Sequence, residues 1–204
     1  MDRLWTPWRY NYITGAQTSH EAKGRKGVPR ALAEWPGPAD PAESECVFCN
    51  LLGSVEWSIA NGIDPNAAER AGLIVARLRD CFVCLNAFPY SSGHVLLVPR
   101  QHTDSLAKLA AEQAAELMAE AQNVERILRR TYNPDGINFG MNLGEAAGAG
   151  IADHLHLHGL PRWFGDTNFM TVAAETRVLP ETLEDTWERL HTAWSAASDS
   201  QPGA

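Results

Sequence analysis

The 204-residue chain has no apolar run that approaches a membrane span, which takes about eighteen residues or more. Its start, Met1-Asp2-Arg3-Leu4-Trp5, lacks the features of a secretory signal. Together these set the expectation of a cytoplasmic protein with no membrane partner. Cysteine is scarce, at four residues. In a reducing compartment so few thiols argue against a disulfide framework and for metal binding or plain burial. Basic residues are also in deficit: 17 Lys and Arg stand against 25 Asp and Glu, a formal charge of −8. That balance argues against nucleic-acid binding, which relies on basic patches to neutralise phosphate. A phosphate ligand would have to be met locally, by imidazoles, helix N-termini and backbone amides. No internal repeat is visible, and 45% hydrophobic content over this length suits one sizeable core.

What is present falls into two parts. Residues 1–45 read as an N-terminal aromatic arm followed by a flexible loop, since 14–45 are rich in Gly, Pro and charge and show no period. Trp5, Trp8 and Tyr10 suit an arm that docks on the domain or on a second subunit. Residues 46–204 read as the folded domain. Strands are expected at Gly72–Ala76 and Cys81–Asn86, with Arg79-Asp80 at the turn, and at His94–Pro99 and Gly136–Leu143. A long helix is expected from Thr103 or Asp104, as cap, to Tyr132, because Leu106, Leu109, Leu117, Val124, Ile127 and Leu128 recur at helical spacing. Glu112, Glu116 and Glu120 would form its solvated face. Leu183, Trp187, Leu190 and Trp194 predict a closing helix after Pro180. The order implies an α+β domain with helices on an antiparallel sheet.

His154-Leu155-His156-Leu157-His158 holds three of the seven histidines. Strand alternation puts the three imidazoles on one face and the two leucines on the other, with Pro161 ending the strand. The imidazoles suit a run of phosphates or a metal cluster. Beside them, Gly148-Ala149-Gly150 suits an anion-binding turn. Neutral imidazole is a good nucleophile when one nitrogen is held by an acceptor, and a neighbouring histidine can donate to phosphoryl oxygens.

Cys46-Val47-Phe48-Cys49 is half of a tetrahedral zinc site. His102 and His154 are the candidates for the other half. The alternative is a pair of reduced cysteines at a turn. Cys81 and Cys84 sit three apart in a predicted strand, so they face opposite ways and are read as core. Trp163, Trp187 and Trp194 are read as packing residues, and His20 and His191 as solvated.

His-Leu-His-Leu-His-Gly-Leu is similar to the His-φ-His-φ-His-φ-φ signature of the histidine triad (HIT) family of nucleotide hydrolases and transferases. Asn86-Ala-Phe-Pro-Tyr-Ser-Ser-Gly-His94 and the strand after it resemble the family's nucleoside-binding strand–loop–strand. Asn142-Leu-Gly-Glu-Ala-Ala-Gly resembles the loop before the triad. Trp5-Thr-Pro-Trp-Arg and Pro161-Arg-Trp-Phe-Gly-Asp-Thr-Asn-Phe look like the subgroup that contains bacterial diadenosine tetraphosphate phosphorylases. The resemblance implies a sheet of about five antiparallel strands packed with one long helix and a C-terminal helix. It also implies a homodimer acting on an adenine mono- or dinucleotide.

By the same resemblance His156 is the nucleophile, forming a nucleotidyl-histidine, and His158 contacts phosphate. Asn142 with Gly148, Ala149 and Gly150 completes the phosphate cradle, while Asn86 and His94 belong to the nucleotide-binding segment. Several bacterial members resemble the arrangement of Cys46, Cys49, His102 and His154, with structural zinc tying the knuckle to the sheet. No catalytic metal is required, and inorganic phosphate or water accepts the nucleotidyl group. Gly150 departs from the Ser or Thr common at its position, and the turn is one residue longer than in the hydrolase branches. Three alternatives stand beside phosphorolysis: a low-turnover adenine-nucleotide-binding protein, a simple hydrolase of phosphoramidates or dinucleotides, and a metal centre formed by the triad itself.

Overall fold

The computed structural model describes residues 26–40, 43, 45–166 and 181–199. The aromatic arm, His20 and the stretch 167–180 lie outside them. Five strands form one antiparallel sheet: β1 (Ile74–Arg77), β2 (Cys81–Leu85), β3 (Val95–Pro99), β4 (Gly136–Gly140) and β5 (Leu157–Arg162). Their order is β1-β2-β3-β5-β4. The near-continuous apolar composition of β2 and β3 follows from their position, because both strands are buried along their whole length.

Alternation in these strands feeds two cores. Val83, Leu85, Val95, Leu97 and Leu157 face α3 (Ala111–Tyr132) and α4 (Leu183–Asp199). Phe82, Cys84, Leu96 and Val98 face α1 (Val47–Ala60) and α2 (Pro65–Gly72). Helices therefore cover both faces of the sheet. Cys81 belongs to the first core and Cys84 to the second, the opposed placement expected for residues three apart. Burial pushes both thiols up to about 12, which keeps them protonated.

Several expectations change. α1 and α2 were not expected; Asp64 caps α2 by accepting from the Ala67 amide, with Pro65 in the first turn. The strand expected from Gly72 starts at Ile74, because Gly72 ends α2 and Leu73 takes a left-handed conformation with φ 53°. β4 stops at Gly140, short of Leu143. The long helix starts at Ala111, preceded by a 3₁₀ turn at Leu106–Lys108. Thr103 does not cap it: the residue before the helix is Ala110, whose amide donates to Gln113 Oε1 at 3.1 Å, while the Thr103 carbonyl accepts from the Leu155 amide at 2.6 Å. Glu116 is not solvated: it accepts from the Asp80 amide and pairs with Arg79.

The expected strand also shifts along the triad. β5 begins at Leu157, and Pro161 lies within it opposite Ile137. The Pro161 carbonyl accepts from Ser91 Oγ, on the side away from β4. Backbone nitrogen and carbonyl of one residue point the same way in an antiparallel strand, so the missing N–H costs the β4 ladder nothing. Val28, Leu32 and Trp35 are buried, with Leu32 in the core beneath α1 and Trp35 packed by Trp57 and Gly53. Packed structure thus begins before the boundary expected at 45/46.

α4 is fixed to the edge strand by Trp187. Its buried indole N–H donates to the Ile74 carbonyl at 2.7 Å, beside the irregular register between Ile74 and Ala76. His191 is not the solvated residue expected, since it stacks on Trp187 and bonds Glu69 Oε2 at 3.2 Å. An exposed helix pair such as Arg129–Glu125 contributes only about 0.3–0.5 kcal/mol. A buried bond whose loss orphans a carbonyl matters more. Trp187→Phe is expected to lower unfolding free energy by about 1–3 kcal/mol in a denaturant titration.

Candidate functional site

The antiparallel register sets the site. β3 pairs with β5 so that Leu96 lies opposite His158, which turns His158 toward the α1 side of the sheet. His154 and His156 reach the same side, where the ring of Phe48 lies 5.5 Å and 5.1 Å from their ring centroids. The rings of His156 and His158 are 4.9 Å apart. Leu155 and Leu157 are buried, as the alternation requires. The shared imidazole face is thus present, although regular pairing starts only at Leu157.

His156 is buried, and its Nδ1 lies 2.8 Å from the carbonyl of His154. A carbonyl only accepts, so Nδ1 carries the proton and Nε2 the lone pair. Burial holds the imidazole's pKa below the ordinary histidine value, favouring the neutral ring. His94 is fully buried, and its Nε2 lies 3.0 Å from Nδ1 of His158. Asn86 is at the end of β2, where its Oδ1 accepts from the Phe88 amide and its Nδ2 lies 3.5 Å from both nitrogens of His94. The loop ends at Gly93, whose φ is +78° and where a Cβ would meet Tyr132 at 2.8 Å.

The glycine turn is exposed and closes on itself. The amides of Gly148 and Ala149 donate to the carbonyls of Glu145 and Gly144. Asn142 Nδ2 donates to the Gly148 carbonyl at 3.3 Å. The cradle expected from Gly148, Ala149 and Gly150 therefore has two of its three amides engaged within the turn.

Cys46, Cys49, His102 and His154 converge, with ligand atoms all within 4.8 Å of one another. Cys46 Sγ lies 3.2 Å, and Cys49 Sγ 3.6 Å, from Nδ1 of His154. Cys49 Sγ lies 3.4 Å from Nδ1 of His102, and the two Nδ1 atoms are 3.3 Å apart. A tetrahedral metal with bonds of about 2.0–2.3 Å requires ligand atoms about 3.3–3.8 Å apart, so the spacing fits. His154 Nε2 lies 2.9 Å from the Pro99 carbonyl, which puts its proton there and aims the Nδ1 lone pair into the cluster. The neighbouring Cys49 thiol, with His154, lowers the pKa of Cys46, while the same pairing raises that of Cys49. Among the described residues this is the group of His, Cys, Asp and Glu that could hold an ion. The three triad rings are directed apart through Nδ1: His154 to the cysteines, His156 to the His154 carbonyl and His158 to His94.

Two contacts were not anticipated. Phe48, inside the CxxC, packs on His156, and the backbone amide of Tyr90 donates to His94 Nδ1. The first could have been suspected from the motif. The second depends on loop geometry that no residue type announces.

Residues 67–165 match the HIT domain. An AP-4-A phosphorylase from Mycobacterium tuberculosis is 35% identical over 195 residues, covering 96% of this chain and 85% of that protein. The chain belongs to the histidine triad (HIT) family. The crystal structure of a Zn-bound histidine triad family protein from Mycobacterium smegmatis aligns with TM-score 0.55 and 27% identity, covering 76% of this chain and 97% of that one. A hypothetical histidine triad nucleotide-binding protein from Sulfolobus tokodaii shares the fold, at TM-score 0.56 and 22% identity over 78% of this chain and all of that one. The α+β HIT fold, with its five antiparallel strands, is thus the architecture of the chain.

The four-ligand group carries a direct expectation. Protein purified without chelator retains about one zinc-like divalent ion per chain by elemental analysis, by its two-Cys, two-His donor set. Cys49→Ser loses most of it and melts at lower temperature. Metal content unchanged by the substitution would refute the assignment.

Proposed function

We propose that this HIT protein is a nucleotidyl transferase acting on dinucleoside polyphosphates such as diadenosine tetraphosphate, with phosphate as the favoured acceptor. The observation that carries the reading is the His156 imidazole, buried and held through Nδ1 so that Nε2 bears the lone pair a nucleophile needs. The 35% identity to an AP-4-A phosphorylase supports the substrate class. His156 Nε2 attacks the α-phosphorus, and the bond from phosphorus to the bridging oxygen breaks, sending ATP away with the electron pair. The nucleotidyl group stays on Nε2, and the imidazole, now cationic, keeps its Nδ1–H on the His154 carbonyl. A phosphate oxygen then attacks phosphorus, the P–N bond breaks, and the electron pair returns to Nε2 with release of ADP.

The remaining residues divide the binding. His158 donates to phosphoryl oxygens, Asn142 and the Gly150 amide flank the phosphates, and Asn86 meets the ribose at the loop that His94 anchors. Zinc held by Cys46, Cys49, His102 and His154 would brace the knuckle and would take no part in the transfer. A homodimer is proposed as well; β4 is an edge strand whose Phe139 side chain is exposed.

The internal bonding of the glycine turn favours one second reading, a nucleotide-binding protein with little turnover. Incubation with diadenosine tetraphosphate separates the readings. ADP and ATP formed only when phosphate is present establish the phosphorylase, and ATP with AMP in its absence establishes a hydrolase. Intact substrate under both conditions leaves the binding protein. His156→Ala is expected to reduce turnover at least about 10³-fold, since an activated nucleophile is lost. Full turnover in that variant would remove His156 from its role.

A further inference from the structure

The loop between β2 and β3 reaches the imidazole face through Tyr90. Its backbone amide donates to Nδ1 of His94 at 3.1 Å. A donor at that nitrogen obliges it to hold a lone pair, so the proton of the neutral ring sits on Nε2. That Nε2 lies 3.0 Å from Nδ1 of His158. His94 therefore donates, His158 Nδ1 accepts, and the proton of His158 sits on its own Nε2. A chain of imidazoles can run in either direction unless one end is fixed. Here the fixed end is a backbone N–H, which has no acceptor form.

The tyrosine ring adds a steric constraint. It lies 4.7 Å from the His94 centroid and 6.2 Å from that of His158, only 13° from parallel to the latter. The loop itself is held in place. Asn86 Oδ1 takes the Phe88 amide, Ser91 bonds the Pro161 carbonyl, and Gly93 is wedged against Tyr132 and Pro161.

We propose that Tyr90 is a positioning residue whose amide locks His94 and His158 as Nε2–H tautomers and whose ring fixes the plane of His158. The lock makes neutral His158 a hydrogen-bond donor at Nε2. His156, held through the opposite nitrogen, presents a lone pair. His156 and His158, two positions apart on the same face, thus have opposite polarity, and both are set by backbone groups. The functional importance of the lock rests on the transferase reading above, in which His158 meets phosphate.

Long-range 1H–15N correlation spectra of histidine-labelled wild-type protein report each tautomer directly. The expected result is Nε2–H at His94 and His158 and Nδ1–H at His156. An Nδ1–H form of His94 or His158 overturns the proposal, whether or not the protein turns over a dinucleotide. Absence of turnover with the expected tautomers would instead sink the transferase reading and leave the lock standing.

Three substitutions separate amide from ring. Tyr90→Pro deletes the N–H and is expected to lose the Nε2–H signature of His158. Its kcat on diadenosine tetraphosphate should fall at least about tenfold, with KM changed by less than about threefold, as for loss of a group that acts mainly in the transition state. Tyr90→Ala retains the amide and the tautomers, with a smaller drop in kcat that Tyr90→Phe restores. Unchanged tautomers and kcat in Tyr90→Pro would remove the amide lock. A wild-type kcat in Tyr90→Ala would remove the role of the ring. Should Tyr90→Pro not fold, the wild-type spectrum still decides.

Discussion

His154 is engaged at three atoms, and each engagement constrains a different part of the molecule. Nδ1 lies among the sulfurs of Cys46 and Cys49 and the ring of His102, Nε2–H donates to the Pro99 carbonyl, and the main-chain carbonyl accepts from His156. The first contact brings the start of α1 onto the sheet across 108 positions of sequence. The second joins the triad segment to the end of β3. The third sets the polarity of the neighbouring imidazole. Were the ring turned over, the cysteines would face an N–H in place of a lone pair, and the Pro99 carbonyl would lose its donor.

No Lys or Arg stands among the residues gathered around His156 and His158, which are Phe48, Tyr90, His94 and His154. An overall charge of −8 gives no general attraction for a polyphosphate. Arg77 and Arg100 are spent on Glu69, Glu56 and the Leu78 carbonyl at the far end of the sheet. On the proposed reading, recognition of a polyphosphate would rest on oriented dipoles. These act strongly where burial lowers the local dielectric and need little rearrangement as charge moves along the phosphate chain.

Much of this was legible in the sequence. Alternation of His and Leu predicted the shared face, because the strand period is imposed by the backbone alone. The CxxC spacing, with His102 and the first triad histidine as candidate partners, pointed to the four residues that converge. The helical spacing of Phe48, Leu52 and Val55 was also available, and α1 could have been found from it. Other features were out of reach for a physical reason. The segment before α3 is tied by the Thr103 carbonyl to the amide of Leu155, a residue 52 positions away. His191 looked solvated until α4 folded it against Trp187 and Glu69. The tautomers of His94 and His158 depend on where one loop amide points.

Gly93 carries a consequence for how such a site can diversify. Its backbone is in the left-handed region, and the space a side chain would need is filled by Tyr132 and Pro161. Tyr132 in turn is held by a hydroxyl bond to Glu181, which also binds Thr186 and Arg189 of α4. Position 93 is thus held to glycine twice, by its left-handed backbone and by the docked tyrosine beside it, while Tyr90 and Ser91 earlier in the loop are fixed by their own bonds to His94 and the Pro161 carbonyl. The loop and that helix therefore share one support, and grafting one onto another scaffold without the other would separate the imidazoles from the packing that orders them.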